Sequence, residues 1–166
     1  MHIIYAFLKN YVCSRIFIIF VQTLTTMETP QKTPAELFAA QALVSQVRKE
    51  LTDNILPYWM QKMTTPEGGF YGRIDGNEQL DPSAPIGNIM TARMLWTFAS
   101  AYRLLGNKEY LDMAQKAKEF IISRFYDHEL GGTYWSLSSD GSPLDTKKQI
   151  YAIAFTIYGL AELNRA

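Results

Sequence analysis

The chain has 166 residues, of which 48% are hydrophobic, and its 16 Lys and Arg residues balance its 16 Asp and Glu residues. This balance excludes the basic footprint of a nucleic-acid-binding protein, and the apolar content is high enough for a packed core. The single cysteine excludes an intramolecular disulfide and favours a reducing, cytoplasmic location. The sequence has no metal-ligand cluster or phosphate-binding glycine loop, so it predicts no metal and no cofactor.

The first 26 residues differ from the rest of the chain. They contain two apolar stretches, residues 2–8 and 16–21, which Lys9 and Arg15 interrupt. A membrane-spanning helix needs about 20 mostly apolar residues, so this segment is too short for a span. Residues 22–26, at the end of this segment, make a poor signal-peptide cleavage site. An early start codon, a weak anchor or signal, and an accessory helix are the alternatives for residues 1–26, and we expect the main domain to occupy residues 27–166 without binding a membrane.

The first predicted helix of the main domain has clear start signals. Thr33 can cap it, Pro34 stands in its first turn, and Glu36 completes a capping box. Apolar residues then recur at helical spacing. Pro57 lacks a backbone donor, which predicts that the helix kinks or restarts within residues 56–63.

Three further helices follow in the second half of the chain. The second helix carries apolar and aromatic residues over residues 89–103 and is predicted to end at a left-handed Gly106. Asn107 can then cap a third helix, and the short link makes these two helices antiparallel neighbours. The fourth helix covers residues 150–165, and residues 146–149 before it match a second capping box.

Two stretches of the chain are copies of one another, which indicates a repeat architecture. Residues 68–71 are Gly-Gly-Phe-Tyr, and residues 131–134, which begin 63 positions later, are Gly-Gly-Thr-Tyr. Each copy is a helical hairpin with one long loop, residues 64–85 in the first and 127–145 in the second. If the helices alternate in direction, both long loops lie at one end, which is then the predicted binding face. We expect an all-α fold in which the Gly-Gly segments form short hairpins at most.

Four motifs occur in a recognisable order. They are Leu-Thr-Asp-Asn-Ile-Leu-Pro-Tyr-Trp at residues 51–59, Gly-Gly-Phe-Tyr-Gly-Arg-Ile-Asp-Gly at 68–76, Arg-Met-Leu-Trp-Thr-Phe at 93–98 and Asp-Thr-Lys-Lys-Gln-Ile-Tyr-Ala at 145–152. Together they resemble the N-terminal part of the N-acylglucosamine 2-epimerase superfamily, and within it the cellobiose 2-epimerase branch. The resemblance implies an (α/α)6 toroid, a ring of six helical hairpins with the sugar at the long-loop end. The chain holds about two of the six, so we expect a partial toroid whose partners are the missing C-terminal hairpins.

The resemblance also implies an activity. Enzymes of this branch are isomerases that epimerise the reducing-end glucose of β-1,4-linked disaccharides, converting cellobiose to glucosyl-mannose by removing and returning the C2 proton. The reaction needs two acid/base groups, which in relatives are histidines on later helices of the ring. His2 and His128 match neither of them and are predicted to be ordinary surface residues. We therefore expect the isolated chain to be inactive. N-acylglucosamine 2-epimerase and mannose isomerase activities are alternatives within the family.

Three residues are candidates for the sugar site. Arg93 corresponds to an arginine that resembles an enediolate stabiliser in relatives, and its alternative role is to pair with a loop carboxylate or carbonyl. Tyr151 corresponds to a tyrosine that lines the sugar site, and it could instead pack between helices. Trp96 could stack on a sugar, although aromatic residues at helical spacing are more often core. Thr91 stands where cellobiose 2-epimerases commonly have asparagine, which leaves the sugar preference open.

Three loop carboxylates, Asp75, Asp81 and Asp145, define a competing hypothesis. The (α/α)6 toroid also hosts glycoside hydrolases, which use one carboxyl group as an acid and another as a base. However, aspartates beside a glycine, a proline or a helix start more often form turns and caps. A third hypothesis is a fragment without catalytic function, serving in binding or assembly.

Overall fold

The computed structural model of the protein describes residues 33–66 and 68–166. The predictions for the leader at residues 1–26, and for His2 within it, lie outside the described residues. The chain divides into two compact units, one that ends at Lys62 and one that covers Met63–Ala166. Within the part that the structure describes, no helix is long and apolar enough to cross a membrane.

The first unit contains helix α1, Pro34–Glu50, which starts as predicted. The backbone N–H of Glu36 donates to the Thr33 hydroxyl at 3.3 Å, and the Glu36 carboxylate accepts from the Thr33 N–H at 2.8 Å. This reciprocal pair confirms the capping box. Helix α1 buries none of its residues, and Phe38 is 74% exposed, so its apolar stripe faces solvent.

The helical path continues through a π-helical turn, Leu51–Ile55, into helix α2, Leu56–Lys62. The Leu56 N–H donates to the Leu51 carbonyl, a bond across five residues that widens the helix. Pro57 follows directly and has no N–H to donate, so an α-helical bond is missing at this point. The α-helix restarts at Leu56, directly after the π turn, which confirms the predicted restart within residues 56–63.

Over residues 63–66 and 68–166, the second unit contains three long helices and five short strands. Its elements are β1 Arg73–Ile74, β2 Leu80–Asp81, β3 Ile86–Gly87, α3 Asn88–Leu105, α4 Lys108–Phe120, a π turn Ile121–Phe125, β4 Ser136–Leu137, β5 Pro143–Asp145 and α5 Ile150–Arg165. Helix α3 is central and packs against both α4 and α5. Its large fully buried side chains include Leu95 and Phe98.

The link between α3 and α4 confirms the predicted helix ends. Gly106 adopts a left-handed conformation, with φ of 74°, and its N–H donates to the Tyr102 carbonyl at 2.7 Å. The Asn107 side chain then caps α4 by accepting from the Glu109 N–H at 3.0 Å. Both signals lie within a few residues of the ends that they specify, which is why the sequence pattern was sufficient.

The capping box predicted before α5 is wrong. The N-cap residue of α5 is Gln149, whose side chain makes no capping hydrogen bond. A box at Thr146 would require a helix that begins at Lys147, three residues earlier than the observed start. Instead, Lys148 lies before the helix and forms an ion pair with Asp127 at 2.7 Å, which holds the entry to α5 from outside.

The two long loops meet in a small antiparallel sheet of strand order β3-β4-β5. Ile86, which directly follows the first loop, pairs with Leu137 of the second, so both long loops lie at the same end of the unit, as predicted. The expectation of short hairpins at most missed this pairing, since β3 and β4 belong to different repeats. Strands β1 and β2 form a separate hairpin.

Helices α3 and α5 approach closely where Gly159 faces Ala92. A Cβ atom built on Gly159 would lie 2.8 Å from the Ala92 carbonyl oxygen. Further along, Arg103 Nε donates to Glu162 Oε1 at 2.8 Å and ties the C-terminal ends of the two helices together. The opposite face of α5 is open, with Ile157 62% exposed.

Candidate functional site

Arg93 and Tyr151 lie at the long-loop end of the second unit. Arg93 is in the second turn of α3, and Tyr151 is in the first turn of α5. The start of each helix is held to the loops: Asn88 Nδ2 donates to the Thr133 hydroxyl at 2.6 Å, and Asn88 Oδ1 accepts from the Thr156 hydroxyl at 3.2 Å. This buried network connects α3, the second loop and α5, so it fixes the two helix starts relative to each other.

The Arg93 side chain lies against an aromatic ring rather than a carboxylate. Its guanidinium carbon is 4.8 Å from the ring centroid of Phe155, within the range of a cation–π contact. Its Nε atom is buried and has no hydrogen-bond partner among the described residues. The alternative prediction, a pairing with a loop carboxylate, is not seen within residues 33–66 and 68–166. No carboxylate among the described residues therefore neutralises the charge of the Arg93 guanidinium.

Tyr151 is 56% exposed and contacts the same ring. Its ring meets Phe155 edge-to-face with a centroid distance of 4.9 Å. The contact leaves much of the Tyr151 side chain exposed. The arginine and the tyrosine that the family motif singled out thus share one neighbour.

Trp96 is only 8% exposed, because Tyr158 stacks on it with a centroid distance of 5.1 Å and an interplanar angle of 12°. Tyr158 in turn contacts Phe155 at 6.3 Å. Burial, together with the charge of Glu162, raises the pKa of Tyr158 to about 12, so this phenol stays protonated near neutral pH. The position of Trp96 favours packing, and its predicted role as a sugar platform stays a prediction.

Phe155 and Tyr158 were not identified from the sequence. Tyr151, Phe155 and Tyr158 are spaced four and three residues apart, which places them on one face of α5. This spacing was an available signal. What the spacing does not show is that this face meets Arg93 and Trp96 of α3.

The loop aspartates act as turn formers. Asp75 accepts from the Asn77 N–H at 2.9 Å, and Asp145 accepts from the Lys147 N–H at 3.1 Å. Hydrogen bonds from Ser83 hold the pKa of Asp81 below its usual range, and hydrogen bonds from Lys147 do the same for the pKa of Asp145. A glycosidase acid needs a raised pKa, so these environments disfavour the hydrolase hypothesis.

The entry to α5 depends on Asp127, which is 7% exposed. The Lys148 ammonium, together with the N–H groups of Leu130 and Glu129, lowers the pKa of Asp127 to about 2. Lys148 also lies 4.2 Å from the ring centroid of Tyr134. Because Lys148 is three residues before Tyr151, this pair helps to place the tyrosine.

Neither a histidine cluster nor a metal-ligand set is found in the part of the chain that the structure describes. His128 is exposed, with Nε2 3.0 Å from the Ile122 carbonyl oxygen, and its ring packs on Tyr126. No group of three or more His, Cys, Asp or Glu among the described residues could hold a metal ion.

Comparison with known proteins gives consistent matches. The family model for N-acylglucosamine 2-epimerase matches residues 69–166, more than half of the chain. The cellobiose 2-epimerase of Bacteroides fragilis is 60% identical over 125 residues, which cover 75% of this chain and 32% of that protein. The cellobiose 2-epimerase of Ruminococcus albus is 44% identical over 124 residues, with the same coverage of 75% and 32%.

The likeness extends to solved structures. The structure of cellobiose 2-epimerase from Spirochaeta thermophila superimposes with a TM-score of 0.74 at 38% identity, covering 82% of this chain and 33% of that chain. The chain thus spans about a third of the length of the relatives it matches. These matches confirm the predicted fold class, a mostly helical partial (α/α)6 toroid. The chain belongs to the N-acylglucosamine 2-epimerase family.

Proposed function

We propose that this chain is the N-terminal part of a sugar 2-epimerase that acts on the reducing-end glucose of β-1,4-linked disaccharides and converts cellobiose to glucosyl-mannose. The observation that carries the proposal is the environment of Arg93, whose buried Nε has no partner among the described residues and which lies beside the exposed Tyr151. Further support comes from the 60% identity to the Bacteroides fragilis cellobiose 2-epimerase.

The chemistry explains why such an arginine is useful. Epimerisation opens the sugar ring to the aldehyde, removes the C2 proton to form an enediolate, and returns a proton to the opposite face of C2. Negative charge develops on the enediolate oxygens during this sequence. A guanidinium with free donors stabilises that charge more than it stabilises the neutral aldehyde. Guanidinium groups do not give up their proton in proteins, so Arg93 serves as an electrostatic stabiliser and not as a base.

The proton transfers require groups beyond those identified in this chain. Family resemblance assigns them to histidines on later helices of the ring, and His128 is hydrogen-bonded at the surface. We therefore propose that the missing hairpins complete the site and that the 166 residues alone do not epimerise sugars. Tyr151 would contact the sugar with its exposed side chain, and Trp96 would support the site by packing against Tyr158.

A chimera tests this proposal directly. The matched 125 residues of the Bacteroides fragilis enzyme are replaced by those of this chain, and cellobiose is supplied in D2O. We expect glucosyl-mannose and deuterium at C2 of the reducing-end sugar, whereas the isolated chain should give neither. A chimera that folds by circular dichroism but does not act on cellobiose would contradict the proposal. N-acetylglucosamine and mannose, assayed in parallel, test the alternative substrates of the family.

A further inference from the structure

We propose that Phe155 is a positioning residue that holds the Arg93 guanidinium in the orientation needed to stabilise the enediolate. The inference rests on the proposed function for its catalytic consequence. The contact itself is independent of that function, because it is a property of the packing between α3 and α5.

Arg93 has few other restraints among the described residues. An arginine side chain has several rotatable bonds and is normally held by hydrogen bonds to a carboxylate or carbonyl. Arg93 has a buried Nε without a partner among the described residues and lies 4.8 Å from the Phe155 ring centroid. The Phe155 ring is therefore placed to orient the guanidinium.

A cation–π contact leaves the donors and the charge of the guanidinium available. A carboxylate would occupy the N–H donors of Arg93 and neutralise its charge. An aromatic face attracts the cation but does not accept the hydrogen bonds of its in-plane N–H groups. Phe155 can therefore restrict the guanidinium while its donors and its charge remain for an oxyanion.

Phe155 is itself restrained by its neighbours. Tyr151 meets its ring at 4.9 Å and Tyr158 at 6.3 Å, both edge-to-face. Its helix is held to α3 by the hydrogen bond from Thr156 to Asn88, at 3.2 Å. A fixed ring on a fixed helix gives the arginine a defined position, as preorganised electrostatic stabilisation requires.

The contact can be tested on the 166-residue chain without any activity. A proton that lies over an aromatic face is shifted upfield by the ring current, so the side-chain protons of Arg93 should show such a shift in proton NMR spectra. Phe155→Tyr should retain the shift, and Phe155→Leu should abolish it. The matched control Phe98→Leu removes a buried ring of α3 that packs on Tyr110, and it should leave the Arg93 signals in place. An absence of the shift in the unmodified chain would overturn the contact.

The catalytic consequence is tested in the chimera with a double-mutant cycle. Phe155→Leu should lower kcat about 10-fold, since displacement of a stabilising group by a fraction of an ångström is costly. The same change should have little further effect in an Arg93→Ala background, because a residue that acts through Arg93 has nothing left to position. Phe155→Tyr, which keeps the aromatic ring, should leave kcat close to that of the unmodified chimera.

The outcomes separate the two proposals. An inactive chimera would count against the proposed function, whereas the NMR shift would still decide the contact. An active chimera in which Phe155→Leu and Arg93→Ala reduce kcat by independent, multiplying factors would overturn the positioning role. Equal losses in Phe155→Leu and Phe98→Leu would also overturn it, since they would indicate a general loss of stability.

Discussion

The close approach of α3 and α5 at Gly159 can be tested by Gly159→Ala. The added Cβ would lie 2.8 Å from the Ala92 carbonyl oxygen and 3.1 Å from Leu95 Cδ2. The first neighbour belongs to the helix backbone, which cannot rotate away as the end of a side chain can. The two helices must therefore separate by several tenths of an ångström to accept one methyl group.

Two opposing effects set the size of the change in unfolding free energy for Gly159→Ala. Alanine is a better helix former than glycine by about 0.8–1.0 kcal/mol, which favours the variant. Overpacking a well-packed contact typically costs about 1–3 kcal/mol, and the backbone position of the clash places Gly159 in the upper half of that range. We expect a net destabilisation of about 1–2 kcal/mol. For a chain of this size each kcal/mol lowers Tm by roughly 2–4 °C.

The assay is urea denaturation of the chain followed by circular dichroism. Ala154→Gly is the matched control, because Ala154 is exposed on the same helix and the exchange there reports helix propensity alone. That control should lose about 1 kcal/mol. If Gly159→Ala were as stable as the unmodified chain or more stable, the argument that backbone contact limits the distance between α3 and α5 would be refuted.

Two further predictions concern charged residues. Arg93→Ala in the chimera should lower kcat about 100- to 1000-fold, and Arg93→Lys should restore only part of this loss. An unchanged kcat in Arg93→Ala, with an intact circular dichroism spectrum, would show that the arginine is structural. The pKa of Asp127 is lowered from 3.8 to about 2, so its ionised form stabilises the fold; this contribution should be complete above about pH 5 and be lost as pH falls through 2. Lys148→Met should flatten the change in urea midpoint between these pH values, and an equally steep change in the variant would contradict the role of the pair.

Local structure followed from the sequence wherever the determining groups are close along the chain. Thr33, Gly106 and Asn107 each act on backbone groups within four residues, and all three predicted helix ends are confirmed. The restart of the helix next to Pro57 follows from the missing N–H group of the proline. The motif at residues 93–98 similarly singles out Arg93 by its order of residues alone.

Tertiary structure decided the features that depend on distant neighbours. The capping box before α5 did not form, because Lys148 in that segment pairs with Asp127, which lies 21 residues earlier in the chain. The pairing of β3 with β4 joins separate repeats and has no local signal. Phe155 became part of the candidate site only through the packing of α5 on α3.

The two candidate aromatic residues show the same division. Helical spacing placed Trp96 on an apolar face but left open whether a sugar or a neighbouring helix covers it, and the stacked Tyr158 of α5 supplies that cover. Tyr151 has equally apolar neighbours in sequence yet is 56% exposed. The sequence by itself determined the helices, the helix ends at Thr33, Gly106 and Asn107, and the family, since these depend on short-range bonding and motif order. The packing of α5 on α3 decides which aromatic ring is buried and which is accessible. The distance between the two helix backbones is set where Gly159 meets Ala92, a contact that exists only in the folded protein.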